Sequence, residues 1–412
     1  MKKWLAALAA AVSLMIPAAL SQAETKTIVL ATDMHYLSPS LTDYGERFME
    51  TVYASDGKII QYSAEICKAF AEDMLRLSPD AVILSGDLTL NGSAASLEEF
   101  ADLMRPLEEA GIQVLAIPGN HDVGGKAYSF AEDGIRSFPA AKAAEYEAIY
   151  ADYGLNESVQ RDEASLSYIA QVGDALRLVM LDVNANGTEG SVREKTLEWL
   201  ETQLREAQEK GMAVIGVSHQ NLLPQNPYYS AGVMINRPQK LRALYEKYGV
   251  SLNLSGHTHM QHIAFEGSLT EIVTSSLILT PCQYGVITVE DGKPVSYDAR
   301  AVDVEAWAGQ HGEEKEDLLH FTEYAPAFFV DVVGRKVRAI LAGAEIPEEE
   351  RQRMEDFAVM TSLRDFTGTR TAGDEEADLA LWLQYLPNNG FTYYLKGAVA
   401  ESGWPMVHYD FP

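Results

Sequence analysis

Residues 113–122 read "QVLAIPGNHD": a short apolar run that stops at Pro118-Gly119 and delivers an amide, an imidazole and a carboxylate at once. A run of this length bounded by Gly and Pro marks a buried strand. The polar residues that follow are the informative part, because the same layout recurs along the chain. "ATDMHY" (31–36) ends an apolar run with Asp33 and His35, and "LSGDLT" (84–89) ends another with Asp87. "GVSHQN" (216–221) ends in His219, and "SGHTHM" (255–260) ends in His257 and His259. In an open α/β sheet the carboxyl ends of the strands converge on one edge, where ligands bind. Five strand ends therefore bring their polar residues to one rim.

The segments between these runs support that topology. Helical periodicity is expected around 58–77, 94–110, 192–210 and 237–248, so strands alternate with helices as in βαβ units. "SYIAQVGDALRLVMLDV" reads as a hairpin turning at Gly173-Asp174. Residues 262–303 read as a β-meander, with turns at Glu266-Gly267 and Asp291-Gly292. Beyond residue 304 the apolar spacing becomes helical, which predicts an α/β domain over 24–303 followed by a smaller, mostly helical C-terminal domain over 304–412.

Asp33, His35, Asp87, Asn120, His219, His257 and His259 form a mixed oxygen and imidazole donor set. Such a set suits first-row transition metals better than Ca²⁺ or Mg²⁺, which favour oxygen alone. Seven donors exceed one tetrahedral shell and suit two ions that share a bridging carboxylate about 3.5–4 Å apart. Each residue also has a bland reading. Asp87 fits a turn, Asn120 a helix cap, His219 a satisfied core position, and an isolated H-x-H pair two exposed rings. The joint occurrence at five strand ends is what outweighs these readings.

The ordered series D-x-H, G-D, G-N-H-D, a lone His and G-H-x-H resembles the calcineurin-like metallophosphoesterase family across roughly residues 26–300. "GNHD", "SHQNLLP" and the helical tail narrow the resemblance to the class III cyclic-nucleotide phosphodiesterase branch. The resemblance implies a four-layer α/β/β/α sandwich. It implies one metal on Asp33, His35, Asp87 and His259, and a second on Asp87, Asn120, His219 and His257. It also implies a hydroxide bridging the two ions as nucleophile. His121 matches the position that contacts the phosphate and leaving group, and Asp122 the acidic position after it; both are grouped here as catalytic. The metals themselves stay open among Mn, Fe, Zn and Co.

Composition bounds the substrate. With 32 Lys and Arg against 60 Asp and Glu the formal charge is −28, which argues against long nucleic acid. A small phosphate ester is expected, with a phosphodiester favoured over a phosphomonoester because the loop "NLLPQNPYYSAG" after His219 carries apolar and aromatic residues and no cation. A cyclic nucleotide is among the candidates. The competing readings are a phosphomonoesterase or nucleotidase on the same rim, and a surface binding protein whose metals are structural. No partner protein is inferable. Residues 1–23 combine Lys2 and Lys3, an apolar run and Ser21-Gln22-Ala23, which predicts a secretory signal cleaved after Ala23 and a secreted chain. No later run approaches a bilayer span, so no stable membrane insertion is expected. Cys67 and Cys282 lie in apolar contexts and are expected as separate buried thiols. His262 is expected at the surface, and Trp307, Trp382 and Trp404 in packing roles.

Overall fold

Strand β1 (Thr25–Ala31) sends Val29 and Ala31 to one side and Ile28 and Leu30 to the other, and the two sides enter different cores. That division organises a computed structural model describing residues 24–185, 189–228, 232–370, 376–400 and 404–412; the expected leader lies outside the described residues. Helices α1 (Glu46–Ala54) and α2 (Ser63–Leu77) lead to β2 (Ala81–Leu84), and α3 (Ala94–Glu109) leads to β3 (Gln113–Ala116). Strands β1, β2 and β3 run parallel, and all of β2 is buried because both its faces are covered. Helix α2 starts later than its apolar periodicity suggests, since Ile60–Tyr62 close into a 3₁₀ turn first.

The segment after His121 holds a hairpin that periodicity does not announce, β4 (Lys126–Ala131) and β5 (Gly134–Pro139). Helix α4 (Ala143–Ile149) and strands β6 (Gln160–Arg161), β7 (Tyr168–Val172) and β8 (Leu176–Leu181) follow, with β7 and β8 forming the expected hairpin. Then come α5 (Glu194–Glu209), β9 (Ala213–Ser218), α6 (Gln239–Tyr248) and β10 (Leu252–Ser255). Gly249, at φ 71°, ends α6 in the left-handed conformation a helix stop requires.

Residues 262–303 do not form one meander. Strands β11 (His262–Glu266) and β12 (Leu269–Val273) belong to one sheet, whereas β13 (Gln283–Glu290) and β14 (Lys293–Ala301) belong to the other. Between them the chain crosses the molecule through buried backbone, held by Leu277 N donating to Thr32 O (3.1 Å) and Ile59 N to Ile278 O (2.7 Å). Local alternation is the same whichever sheet a strand joins, so the sequence pattern does not carry this crossing.

The C-terminal part consists of α7 (Val304–His311), α8 (Glu316–Leu319), α9 (Phe321–Leu341), α10 (Glu348–Thr367), α11 (Glu376–Tyr385) and α12 (Gly390–Ala400), then β15 (His408–Asp410). One sheet has the order β15-β14-β13-β1-β2-β3, the other β11-β12-β10-β9-β8-β7-β6. Ile28, Leu30, Ile83, Leu178, Ile215 and Leu254 pack between the sheets. Val82, Phe70, Phe100 and Trp307 fill the outer face of the first sheet, and Val179, Leu200, Leu204 and Tyr245 that of the second. The four layers are therefore helix, sheet, sheet and helix. Helices α9 to α12 enclose a further core around Phe329, Val337, Met354 and Trp382. The tail does not stay helical throughout: β15 returns to pair with β14. Cys67 and Cys282 are both free and buried, in the same outer core. No helix among the described residues is long and apolar enough to cross a membrane.

Candidate metal centre

Every one of the five motif segments leaves its strand into the same rim. Asp33, His35, Asp87, His257 and His259 all have positive φ, at 53°, 39°, 47°, 69° and 62°. Non-glycine residues in this region cost on the order of 1–3 kcal/mol each and persist where neighbours over-determine them. The neighbours here are one another. Asp33 N donates to Gly86 O (3.0 Å), His35 N to Asp87 O (2.9 Å), and His257 N to Asp33 Oδ2 (2.8 Å). Close approach also dictates the glycines: a β-carbon on Gly119 would lie 2.1 Å from Asp87 N, and one on Gly256 1.9 Å from Thr32 Oγ1.

The side chains gather into two donor sets sharing one carboxylate. Asp33, His35, Asp87 and His259 offer ligand atoms within 4.8 Å of one another, as do Asp87, His219 and His257. In the first set His35 Nε2 and His259 Nε2 are 3.0 Å apart, and His259 Nε2 is 3.3 Å from Asp33 Oδ1. In the second, His219 Nε2 is 3.3 Å from Asp87 Oδ2, and the His219 and His257 ring centroids are 5.0 Å apart. Among the described residues, Asn120 Oδ1 is buried without a hydrogen-bond partner, as are Asp33 Oδ1 and His219 Nε2. Buried polar atoms of this kind need a partner, and oxygen and imidazole donors around a shared carboxylate fit divalent cations.

The far nitrogen is already fixed in three of the four rings, the exception being His35, whose Nδ1 finds no partner among the described residues. His219 Nδ1 meets Ser85 O at 2.9 Å, His257 Nε2 meets Gly232 O at 3.0 Å, and His259 Nδ1 meets Asp56 Oδ2 at 2.5 Å. Such bonds set tautomer and ring orientation at metal sites. The electrostatics agree. Burial opposes charge on His219, but the Asp87 carboxylate overrides it and pushes the imidazole up to about 9. Burial likewise opposes charge on His259, and Asp56 with Asp33 pushes it up to about 9. Burial acts to raise Asp87, yet His219 and His121 hold its carboxyl well below the usual range. The carboxylates thus impose a field that favours positive charge at both sets.

His121 and Asp122 have different environments. His121 N donates to Asp87 Oδ1 (2.8 Å), its Nδ1 bonds Leu90 O (2.8 Å), and its side chain is 40% exposed with Nε2 3.9 Å from Asp87 Oδ2. Asp122, grouped with it as catalytic from sequence, is fully buried behind the rim. Its Oδ2 accepts from Gly119 N (2.8 Å) and Leu88 N (3.0 Å), and its Oδ1 from Thr89 N (2.8 Å) and Thr89 Oγ1 (2.9 Å). Those four bonds clamp the Asp87 loop to the Asn120 loop, so Asp122 positions ligands and does not face the reacting atoms. Burial and the nearby Asp87 charge push it up to about 6.

Sequence reading misses two carboxylates. Asp56 sits in "SDGK", which reads only as a turn. Glu271 sits mid-strand in β12 and is fully buried; it accepts from Leu222 N (2.8 Å), Leu223 N (2.5 Å), Ser255 Oγ (2.8 Å), Asn253 Nδ2 (2.9 Å) and Gln225 Nε2 (3.0 Å). It thereby ties the loop after His219 to the strand before His257. His262 is buried, not superficial, and bonds Gln225 Oε1 at 2.6 Å. The loop after His219 also differs from expectation: Leu222 and Leu223 turn into the core, and Lys396 from α12 lies 4.2 Å over the Tyr228 ring.

The chain is similar in sequence to several known proteins. A probable cyclic nucleotide phosphodiesterase from Synechococcus sp. is 27% identical over 194 residues, covering 47% of this chain and 63% of that protein's length. A probable glycerophosphodiester phosphodiesterase from Arcobacter nitrofigilis is 28% identical over 225 residues, covering 51% of this chain and 69% of its own length. Among solved structures, a dimetal phosphatase from Danio rerio overlays with a TM-score of 0.48 at 13% identity, covering 67% of this chain and 95% of its own. A purple acid phosphatase from yellow lupin seeds overlays with a TM-score of 0.43 at 17% identity, covering 68% of this chain and 52% of its own. Residues 303–402 match the C-terminal domain of cyclic nucleotide phosphodiesterase. Residues 26–261, which carry all five motif segments, match the calcineurin-like phosphoesterases, and the chain belongs to that family.

Proposed function

We propose that this chain is a binuclear-metal phosphoesterase that hydrolyses a small phosphodiester outside the cytoplasm. The observation that carries the reading is the pair of donor sets joined at Asp87, with the exposed His121 imidazole beside the shared carboxylate. Asp33, His35, Asp87 and His259 would hold one divalent ion, and Asp87, Asn120, His219 and His257 the other. Bound there, such ions supply a water of lowered pKa and neutralise charge on the phosphoryl oxygens. Mn, Fe, Zn and Co all suit the donors.

The chain's own contribution is orientation and proton delivery. Leu90 O holds His121 Nδ1, which leaves Nε2 as the nitrogen turned to the rim. A proton on that nitrogen passes to the departing alkoxide as the ester bond breaks. Asp122 holds the two loops that set His121 and Asp87 at this separation. Preference for a diester is supported by the two phosphodiesterase-named relatives. The expected lack of cations no longer supports it, since α12 brings Lys396 to the loop after His219. Export is supported by the basic, apolar and small-residue layout of residues 1–23.

The test compares bis-p-nitrophenyl phosphate with p-nitrophenyl phosphate under Mn²⁺, with a chelator control. Faster chelator-sensitive turnover of the diester is expected. Faster turnover of the monoester would reassign the substrate class, and no turnover of either with two ions bound would sink the enzymatic reading.

A further inference from the structure

We infer that Asp56 is a positioning residue of the metal centre and that the C-terminal helices work by holding it against His259, an inference that rests on the binuclear reading above. His259 presents Nε2 to Asp33 and His35, while its other nitrogen, Nδ1, lies 2.5 Å from Asp56 Oδ2. With an ion held at Nε2 this pair would form a carboxylate–histidine–metal arrangement, in which the carboxylate fixes the tautomer and raises the basicity of the ligand nitrogen. The second oxygen of Asp56 is 3.4 Å from Lys58 Nζ, an ion-pair contact that places a cation on the side away from His259.

The segment carrying Asp56 has no regular structure of its own, lying between α1 and the 3₁₀ turn at Ile60. What fixes it comes chiefly from α9. Gly57, at φ 107°, packs so closely on Phe329 that a β-carbon there would lie 2.5 Å from Cδ2 of the ring. Lys336 Nζ donates to Ser55 O at 3.3 Å. The preceding residue, Arg335, stacks 4.4 Å over the Tyr53 ring, and Phe328, two turns earlier in the helix, lies 5.9 Å from the same ring. Phe328, Phe329, Arg335 and Lys336 thus grip residues 53–57 from a single helix, whose inner face is in turn packed into the C-terminal core by Val333 and Val337. A rigid path of contacts runs from that core through Phe329, Gly57 and Asp56 to one ligand of one ion. His219 and His257 in the other donor set are held instead by Ser85 O and Gly232 O. Helix α9 therefore acts on the donor set that contains His259, whereas α12 meets the loop after His219 through Asn226, whose Nδ2 donates to Tyr394 O at 3.1 Å, and Tyr228.

The test is Co²⁺ titration of the full chain, followed by the visible absorption of bound Co²⁺, in wild type, Asp56→Ala, Asp56→Asn and Phe329→Leu, with circular dichroism to confirm folding. Asp56→Ala should weaken one of the two binding events by about 10- to 100-fold and leave the other in place. Asp56→Asn should recover part of the loss, since the amide oxygen still accepts from Nδ1–H. Phe329→Leu should weaken the same event by a smaller factor. Unchanged binding in Asp56→Ala, or an equal fall in both events, overturns the inference. Two Co²⁺ ions bound by wild type without phosphoesterase turnover would overturn the proposed function alone.

Discussion

His121 Nδ1 lies 2.8 Å from the carbonyl oxygen of Leu90, and its Nε2 lies 3.9 Å from the carboxylate shared by both donor sets. A carbonyl accepts only, so Nδ1 must carry a proton, and Nε2 is the nitrogen that gains or loses one at the rim. His121→Ala should therefore retain both metals and lose roughly 10²–10⁴-fold in kcat on an ester with an alkoxide leaving group. The loss should shrink with p-nitrophenyl esters, whose leaving group departs without a proton. Metal content and kcat across leaving groups check this; a variant that loses its metals would mean His121 is a ligand.

How far the site could be read from sequence follows from what each residue has to be. A ligand must be Asp, His or Asn at a strand end, so Asp33, His35, Asp87, Asn120, His219, His257 and His259 stand out together once the strands are placed. Residues that orient those ligands face no such restriction. Asp56 occupies a four-residue turn and Glu271 the middle of a strand, and neither position has a motif to announce it. Asp122 shows the converse: adjacency to His121 suggests chemistry, but its carboxylate is consumed by backbone donors. The layers were legible because period-2 alternation separates Ile28 and Leu30 from Val29 and Ala31. The passage of residues 274–282 between sheets was not, because alternation is blind to which sheet a strand joins.

Glu271 makes a pH prediction with a definite sign. Burial raises its carboxyl above the usual 4.5, against the opposing pull of its five hydrogen bonds. The folded protein therefore binds more protons at this site than the unfolded chain over the interval between 4.5 and the raised value. Stability from this group falls as pH rises through that interval and is constant above it. Glu271→Gln removes the slope but turns one acceptor into a donor facing other donors, at a cost of about 1–3 kcal/mol. Urea unfolding at a series of pH values should show the wild-type advantage shrinking as pH rises through that interval, while the variant stays flatter. Parallel curves would mean that Glu271 does not titrate there.

Gly119→Ala tests whether the rim is as tightly built as its backbone suggests. The added β-carbon would sit 2.1 Å from both the Asp87 amide nitrogen, which is backbone, and Asp87 Oδ1, a buried carboxylate oxygen. Relief has to come from moving the Asp87 loop, whose Oδ1 also accepts from His121 N. Overpacking of this kind costs about 1–3 kcal/mol. The larger effect is geometric, because displacing Asp87 disturbs both donor sets at once, whereas a change at His257 touches one. Isothermal titration with Mn²⁺ should show both binding events weakened in Gly119→Ala and one in His257→Ala. If Gly119→Ala weakens only one event, Asp87 is not shared between the two ions.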